Sequence, residues 1–227
     1  MMSSRLGIAA ILFAVAELAS AASFTVRDLE GIYNGRLSYG MLYRLGNRDR
    51  DLIAIASEGN ATTANTDDGN LNYGKGVASN TVRAAGEVAL RWGDFGAYVR
   101  GSAFYDFENQ SSDPARTEFD SDADNLVGSD IELRESYLNW RLRPGGMPVL
   151  LRVGQQIVNW SETTFVRDGL DIINPVDLVA VLQPASKRED LRTPQRMVWL
   201  AANITQTFSM EAYYQYEWEP VELPPVG

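Results

Sequence analysis

Seven segments of this chain alternate apolar and polar residues with a period of two, and no stretch of comparable length carries a helical period. Strict alternation gives a strand one greasy face and one wet face, so this chain must shelter one side of a β-sheet along its whole length. The segments span about 33–45, 81–92, 95–105, 130–142, a fifth from 149, then 197–205 and 210–218. In the fifth, Val149, Leu151, Val153 and Ile157 oppose Arg152, Gly154, Gln156 and Trp160. The fourth changes phase: Ile131 and Leu133 are apolar on odd numbers, then Leu138, Trp140 and Leu142 on even ones. One extra residue restores a single face, which predicts a β-bulge near Glu135 or Ser136.

The connections alternate as regularly as the strands. Those after segments two, four and six are short: 93–94, 143–148 and 206–208. Those after one, three and five are long and polar: about 46–80, 106–129 and 161–196. Short turns at one end and long loops at the other is the layout of an outer-membrane barrel, with periplasmic turns and extracellular loops. A soluble sandwich has no need to gather its long loops at one end, nor to build strands of ten residues where about five or six is usual. The expected fold is therefore all-β, an antiparallel transmembrane β-barrel of which about seven strands are present. The apolar parity faces lipid and the Arg–Gly–Gln parity faces the lumen.

The first residues fit export. Arg5 precedes an apolar run from Leu6 to Val15, and Ala19-Ser20-Ala21 has the small-x-small form of a cleavage site. Residues 1–21 are expected to be a signal peptide and 22–227 the N-terminal part of a barrel domain in the cell outer membrane, with Glu17 awkwardly placed in the leader. Seven strands is an odd number and the chain runs on past the last into "EPVELPPVG", so a longer parent protein is expected. No window of about 18 uncharged apolar residues is present, which excludes a multi-helix membrane protein.

Composition narrows the chemistry. The 227 residues carry a net charge of −10, which argues against nucleic acid as a partner. There is no cysteine, so a disulfide scaffold is excluded. There is no histidine either, which removes Ser-His-Asp and Cys-His hydrolases and His-ligated zinc together. No catalytic residue, cofactor or metal is expected. Asp120, Asp122 and Asp124 alternate like the start of a calcium loop, but Asn125 replaces the glycine and Ile131 the bidentate glutamate. A solvated acidic loop facing lipopolysaccharide is the expectation there.

On the lumen parity lie Arg36, Arg83, Glu87, Arg91, Arg100, Arg152 and Gln156. Arginines lining a pore raise anion occupancy and select solutes; the same groups in a narrow barrel can pair with acids and fill it without any transport. Both readings stand at the level of sequence. The third long connection contains "IINPVDLVAVL", too apolar to dangle in water. Asn174 as helix N-cap and Pro175 at the first helical position predict a short helix through Asp177 and Leu178. With Ile172, it is expected to fold into or over the lumen as a constriction; packing on the extracellular rim is the alternative. Tyr39, Tyr43, Trp92, Phe95, Trp140, Trp160, Tyr214 and Trp218 lie toward strand ends, as an interfacial aromatic girdle requires.

The stretch "RVGQQIVNWSETTFVRDGLDIINPVDL" resembles one family of Gram-negative proteins, the domain of unknown function 1302. The shared features are the Arg152-x-Gly154-x-Gln156 strand, the Trp160-Ser161-Glu162 corner, the run "INPVDL" and the later "FSMEAYYQYEWEP". The likeness extends from about Phe24 to the end and is densest over 152–178. It implies a longer, porin-like outer-membrane barrel, with envelope lipid-transport components or hydrophobic-compound transport machinery as partners. Three functions are then open: a channel or transporter for an amphipathic or hydrophobic solute, a structural or adhesive anchor without transport, and an outer-membrane hydrolase. The missing histidine weighs against the last.

Overall fold

The structure is a computed structural model and describes residues 11–62, 71–111, 121–160, 173–221 and 223–224. Its frame is one antiparallel meander in which each strand pairs with the next. The strands are β1 (Ile11–Val26), β2 (Leu29–Arg44), β3 (Gly76–Trp92), β4 (Phe95–Asp106), β5 (Ser129–Leu142), β6 (Val149–Gln156), β7 (Gln195–Asn203) and β8 (Ser209–Glu217). β1 and β8 form the two edges of an open sheet. Among the described residues no helix is long and apolar enough to cross a membrane, which says nothing about strands.

The strand count is eight where seven were expected, and the added strand is β1. It pairs with β2 along its entire length, from Ile11 opposite Arg44 to Val26 opposite Leu29. Its alternation is hidden in the sequence because alanine and serine fill both faces. In register, Glu17, Ala19 and Ala21 fall beside Ser38, Arg36 and Asn34, while Leu18 and Phe24 take the other side. The cleavage expected after Ala21 thus falls inside β1, and Ala22–Val26 still pairs with Tyr33–Leu29.

The remaining boundaries agree with the alternating segments to within a few residues, except that the fifth strand ends at Gln156. Four short links, 27–28, 93–94, 143–148 and 204–208, share one end of the sheet; 45–75, 107–128 and 157–194 share the other. One of the two two-residue turns, Gly93-Asp94, places Gly93 at φ 58°, a conformation glycine adopts without steric cost. The bulge lies one residue from its expected place. Arg100 opposes Glu135 and Gly101 opposes Leu133, so Arg134 is the extra residue.

One face of the sheet is apolar and open: Leu37, Val99, Ile131, Leu133, Leu138 and Val153 are all exposed on it. At the short-turn end it carries Trp92, Phe95 and Trp140, the last two stacked with centroids 5.3 Å apart. At the long-loop end Tyr105 of β4 is exposed on it, and Trp218 is exposed just beyond β8. Trp160, expected in the same girdle, instead meets Tyr213 edge-on at 5.3 Å, and its Nε1 donates to Glu211 at 2.5 Å. The chain folds back after β6, so Trp160 covers the other, inner face rather than extending its strand. That face is not uniformly wet: Val158, Ile173, Met197 and Trp199 form a buried cluster with Leu150 and Ala201 against it.

The long connections cover their end of the sheet. Helix α1 (Phe107–Ser111) is started by Asp106, which is 2% exposed and accepts from the Glu108 and Asn109 amides and from Thr81 Oγ1 at 2.8 Å. Tyr73, in the β2–β3 connection, donates from its hydroxyl to Asn109 Oδ1 at 2.7 Å. Burial, with Asp106 and Glu108 nearby, pushes the Tyr73 phenol up to about 12. Helix α2 (Ser121–Val127) occupies the segment read as a possible calcium loop. Asp124 there accepts from Gln110 Nε2 at 3.2 Å, while Asp120 and the side chain of Asp122 lie outside the described residues.

Candidate functional site: a loop clamped onto the inner face

The inner face of β2–β5 presents a row of arginines, and the β6–β7 connection comes back to meet them. Each arginine is placed by the two-residue period of its strand, apart from Arg134, which the bulge turns inward next to Glu135. The returning segment, 173–194, supplies the acceptors. Asp190 is 1% exposed and receives Arg36 Nη2 at 3.0 Å and Arg100 Nη2 at 2.5 Å. Arg100 also donates to the Glu189 carbonyl at 3.2 Å and lies 3.6 Å from Glu135. Arg83, 4% exposed, donates to Gln183 Oε1 and stacks over Phe104.

Arg134 makes the most contacts. It lies 2.8 Å from Glu132 and 3.3 Å from Asp177, and donates to the carbonyls of Asp190 at 2.8 Å and Arg192 at 2.7 Å. Charge-assisted hydrogen bonds from a planar guanidinium fix position as well as energy. The segment is thus gripped from four adjacent strands. Room for it is made at Gly40 of β2, where an added Cβ would come within 2.8 Å of the Ala185 nitrogen. At the edge, Lys187 Nζ reaches Glu17 of β1 at 2.5 Å, which gives the charge awkward in a leader a partner in the folded chain.

Within the segment the sequence reading needs one correction. Helix α3 (Leu178–Leu182) is present, but its N-cap is Asp177, which accepts from the Ala180 amide at 2.8 Å. Asn174 is a staple instead. It accepts from the Val158 amide at 2.8 Å and donates to the carbonyls of Gln156 and Thr193, so its side chain is already committed. Pro175 precedes the helix, and its carbonyl accepts from the Thr193 amide at 2.8 Å. Leu178 sits at the helix start and is half-exposed. Ile172 lies outside the described residues.

The other residues expected on the lumen parity separate into groups. Glu87 accepts from Asn34 Nδ2 at 2.6 Å and from the Tyr98 hydroxyl, on the same face as Arg36 and Arg100. Gln156 is fully buried, and its Nε2 donates to the Met197 carbonyl at 3.1 Å. Arg152 stands apart from the clamp, between the rings of Tyr137 and Trp199. Arg91 does not join the group: it is half-exposed near the short-turn end and pairs with Glu30. Sequence reasoning missed Arg134 and Asp190. The phase change in 130–142 was the available signal for the first; nothing in the loop's composition singles out the second.

Beside the clamp a cavity of 1290 Å³ opens between β1–β5 and residues 187–192, with Arg36, Glu87, Tyr98 and Arg100 in its wall. The arrangement holds a loop against a polar inner face with a large wet space next to it. No curated protein and no solved structure matches the chain. A family model described as "Protein of unknown function (DUF1302)" matches residues 2–227. The chain belongs to the DUF1302 family.

Proposed function

We propose that this protein is an outer-membrane β-barrel that passes an amphipathic or hydrophobic solute, with segment 173–194 as its constriction. The observation that carries the reading is the clamp: a connection between two neighbouring strands leaves the loop end and is fastened onto the inner face by Arg36, Arg83, Arg100 and Arg134. The exposed outer face supports a lipid-facing role. On β4, Phe95 and Tyr105 are ten residues apart, about 34 Å along a strand, or roughly 26 Å across a membrane at a tilt near 40°. That equals the apolar band of known outer-membrane barrels, about 25 Å. Membrane lipids and lipopolysaccharide are then the partners of this face. A leader removed after Ala21 accounts for delivery, and no chemical step is involved.

Single-channel recording in planar bilayers tests the reading with the full-length protein and a variant carrying both Asp177→Ala and Asp190→Ala. Openings that become more frequent or larger in the variant are expected. Silence from both would favour the second reading, a plugged barrel that anchors surface loops; the low exposure of the clamp residues is the observation in its favour.

A further inference from the structure

Each clamp arginine is engaged by at least one oxygen, although the buried Nε groups of Arg36, Arg83 and Arg134 find no partner among the described residues. One further inner-face arginine is engaged by none. Arg36, Arg83, Arg100 and Arg134 each donate to an oxygen acceptor. Arg152 has no hydrogen-bond acceptor and no ion-pair partner among the described residues. What surrounds it is aromatic. Its guanidinium carbon lies 5.1 Å from the centre of the Tyr137 ring and 4.8 Å from that of Trp199.

These rings belong to a longer row. Tyr98 of β4 stacks on Tyr137 of β5 with centroids 5.0 Å apart. Arg152 of β6 is the register partner of Trp199 of β7, which is in turn the partner of Tyr213 of β8. Trp160 then caps Tyr213. Strands β4, β5, β7 and β8 thus contribute the rings of an aromatic shelf across the inner face, and β6 sets one cation into it. At one end the shelf joins the 1290 Å³ cavity through Tyr98; beside it lies the apolar cluster of Met197, Val158 and Ile173.

We infer that this shelf is a binding site for an amphipathic monocarboxylate with a flat ring skeleton, its carboxylate on Arg152 and its rings over Tyr213, an exposed ring of the row. A guanidinium stacked on two rings keeps its in-plane N–H groups free for a bidentate carboxylate. Glu135, an acid in electrostatic reach of Arg152, forms no ion pair with it and is held instead by the Ile157 amide at 3.2 Å and by Arg100 at 3.6 Å. The buried Trp199 indole N–H, beside the guanidinium, also has no acceptor among the described residues. Two donor groups without acceptors among the described residues, flanked by rings, match a carboxylate joined to an apolar body. A neutral hydrocarbon would leave both donors unmet.

This site deepens the transport reading and rests on the inner face being a solute path, but its test is independent of conduction. Titration calorimetry on the full-length protein in a non-ionic detergent, with 2-naphthoate and the neutral 2-naphthylmethanol as probes, reads binding directly. The wild type is expected to bind 2-naphthoate more tightly than the alcohol. Arg152→Gln should weaken 2-naphthoate about tenfold or more and leave the alcohol within about twofold, the loss expected for one charge-assisted contact. Equal affinity of the variant and wild type for 2-naphthoate would overturn the site. So would a wild type that binds the alcohol as tightly as the acid, a result that holds even if the variant fails to fold. Naphthoate binding by a protein silent in bilayers would remove transport and leave the site.

Discussion

The carboxylate of Asp190 joins two strands that do not pair with each other: one oxygen receives Arg36 of β2 at 3.0 Å and the other Arg100 of β4 at 2.5 Å. Removing it leaves two guanidinium groups on the inner face without their principal acceptor. Breaking one side of a buried ion pair costs about 3–5 kcal/mol. Asp190→Ala should therefore lower the temperature at which the protein loses its compact, heat-modifiable mobility on gels. Adding Arg36→Met should recover part of the loss, since the second change removes one of the stranded charges. A cycle in which the two losses simply add would show that the pair is not coupled.

Gly154 is held at φ 137°, and a Cβ there would lie 2.3 Å from the Ser136 carbonyl oxygen and 2.8 Å from Tyr137 Cα. Both are backbone atoms of the paired strand, so neither can give way alone. Gly154→Ala should cost at least about 1–3 kcal/mol, the range for a residue forced into such a conformation, plus the clash. The expected outcome is a sharp fall in folded yield, measured as the heat-modifiable fraction. Gly145→Ala, where a Cβ meets nothing within 4 Å but φ is 60°, should be much milder.

The faces of the sheet differ in a way that fluorescence can read. Trp140 is exposed on the apolar face, whereas Trp199 is buried on the inner one. In vesicles of brominated lipid, the emission of a variant keeping only Trp140 should be strongly quenched, and that of a variant keeping only Trp199 should not. Equal quenching of the two would contradict a lipid-facing outer side.

Tyr73 gives a pH signature outside the strands. Its neutral form is favoured in the folded state, with a phenol pushed up to about 12 by burial and by nearby Asp106 and Glu108. An acid whose folded pKa is raised adds stability below its unfolded value near 10, and that stability is lost as pH rises from there through about 12. An ultraviolet titration should show a tyrosine ionising near 12 that vanishes in Tyr73→Phe. The Tyr73→Phe variant should also lose less stability than wild type between pH 10 and 12.

Processing of the N-terminus is open to mass measurement. Protein purified from outer membranes is expected to begin at Ala22, with β1 reduced to the five residues that pair with Tyr33–Leu29 and with Lys187 deprived of Glu17. An intact Met1 terminus would place the whole of β1 in the mature sheet.

Period-two alternation made seven of the strands legible because each needs one continuous apolar face, and the phase break placed the bulge within a residue of Arg134. β1 escaped notice because Ala19, Ser20, Ala21 and Ala22 do not distinguish the two faces. The inward loop was readable from its apolar residues, but its fastening was not. Asp190 sits in the strongly polar run "SKRED", where three-dimensional proximity alone separates it from Glu189. The cap was assigned to Asn174 because Asn-Pro is a good helix start; Asp177 is an equally good one, and it is the residue the arginine of β5 can reach. The inner aromatic shelf was hidden for a different reason. Tyr137 falls on the polar parity only after the bulge is counted, and Trp199 alternates with an equally apolar Val198 and Leu200.

The clamp ties residues that lie far apart along the chain, Arg36 to Asp190 across 154 positions. During synthesis, Arg36, Arg83, Arg100 and Arg134 all emerge before the segment that clamps onto them. In a chain interrupted ahead of position 173, Arg134 still has Glu132 and Arg100 still has Glu135, but Arg36 and Arg83 lack the acceptors that hold them in the folded protein. The segment from 177 to 190 then brings Asp177 to Arg134, Asp190 to Arg36 and Arg100, and the neutral acceptor Gln183 to Arg83. The acceptors that fasten the inner face are thus the last of its partners to be made, and the clamp can close only in a chain that has already reached Asp190.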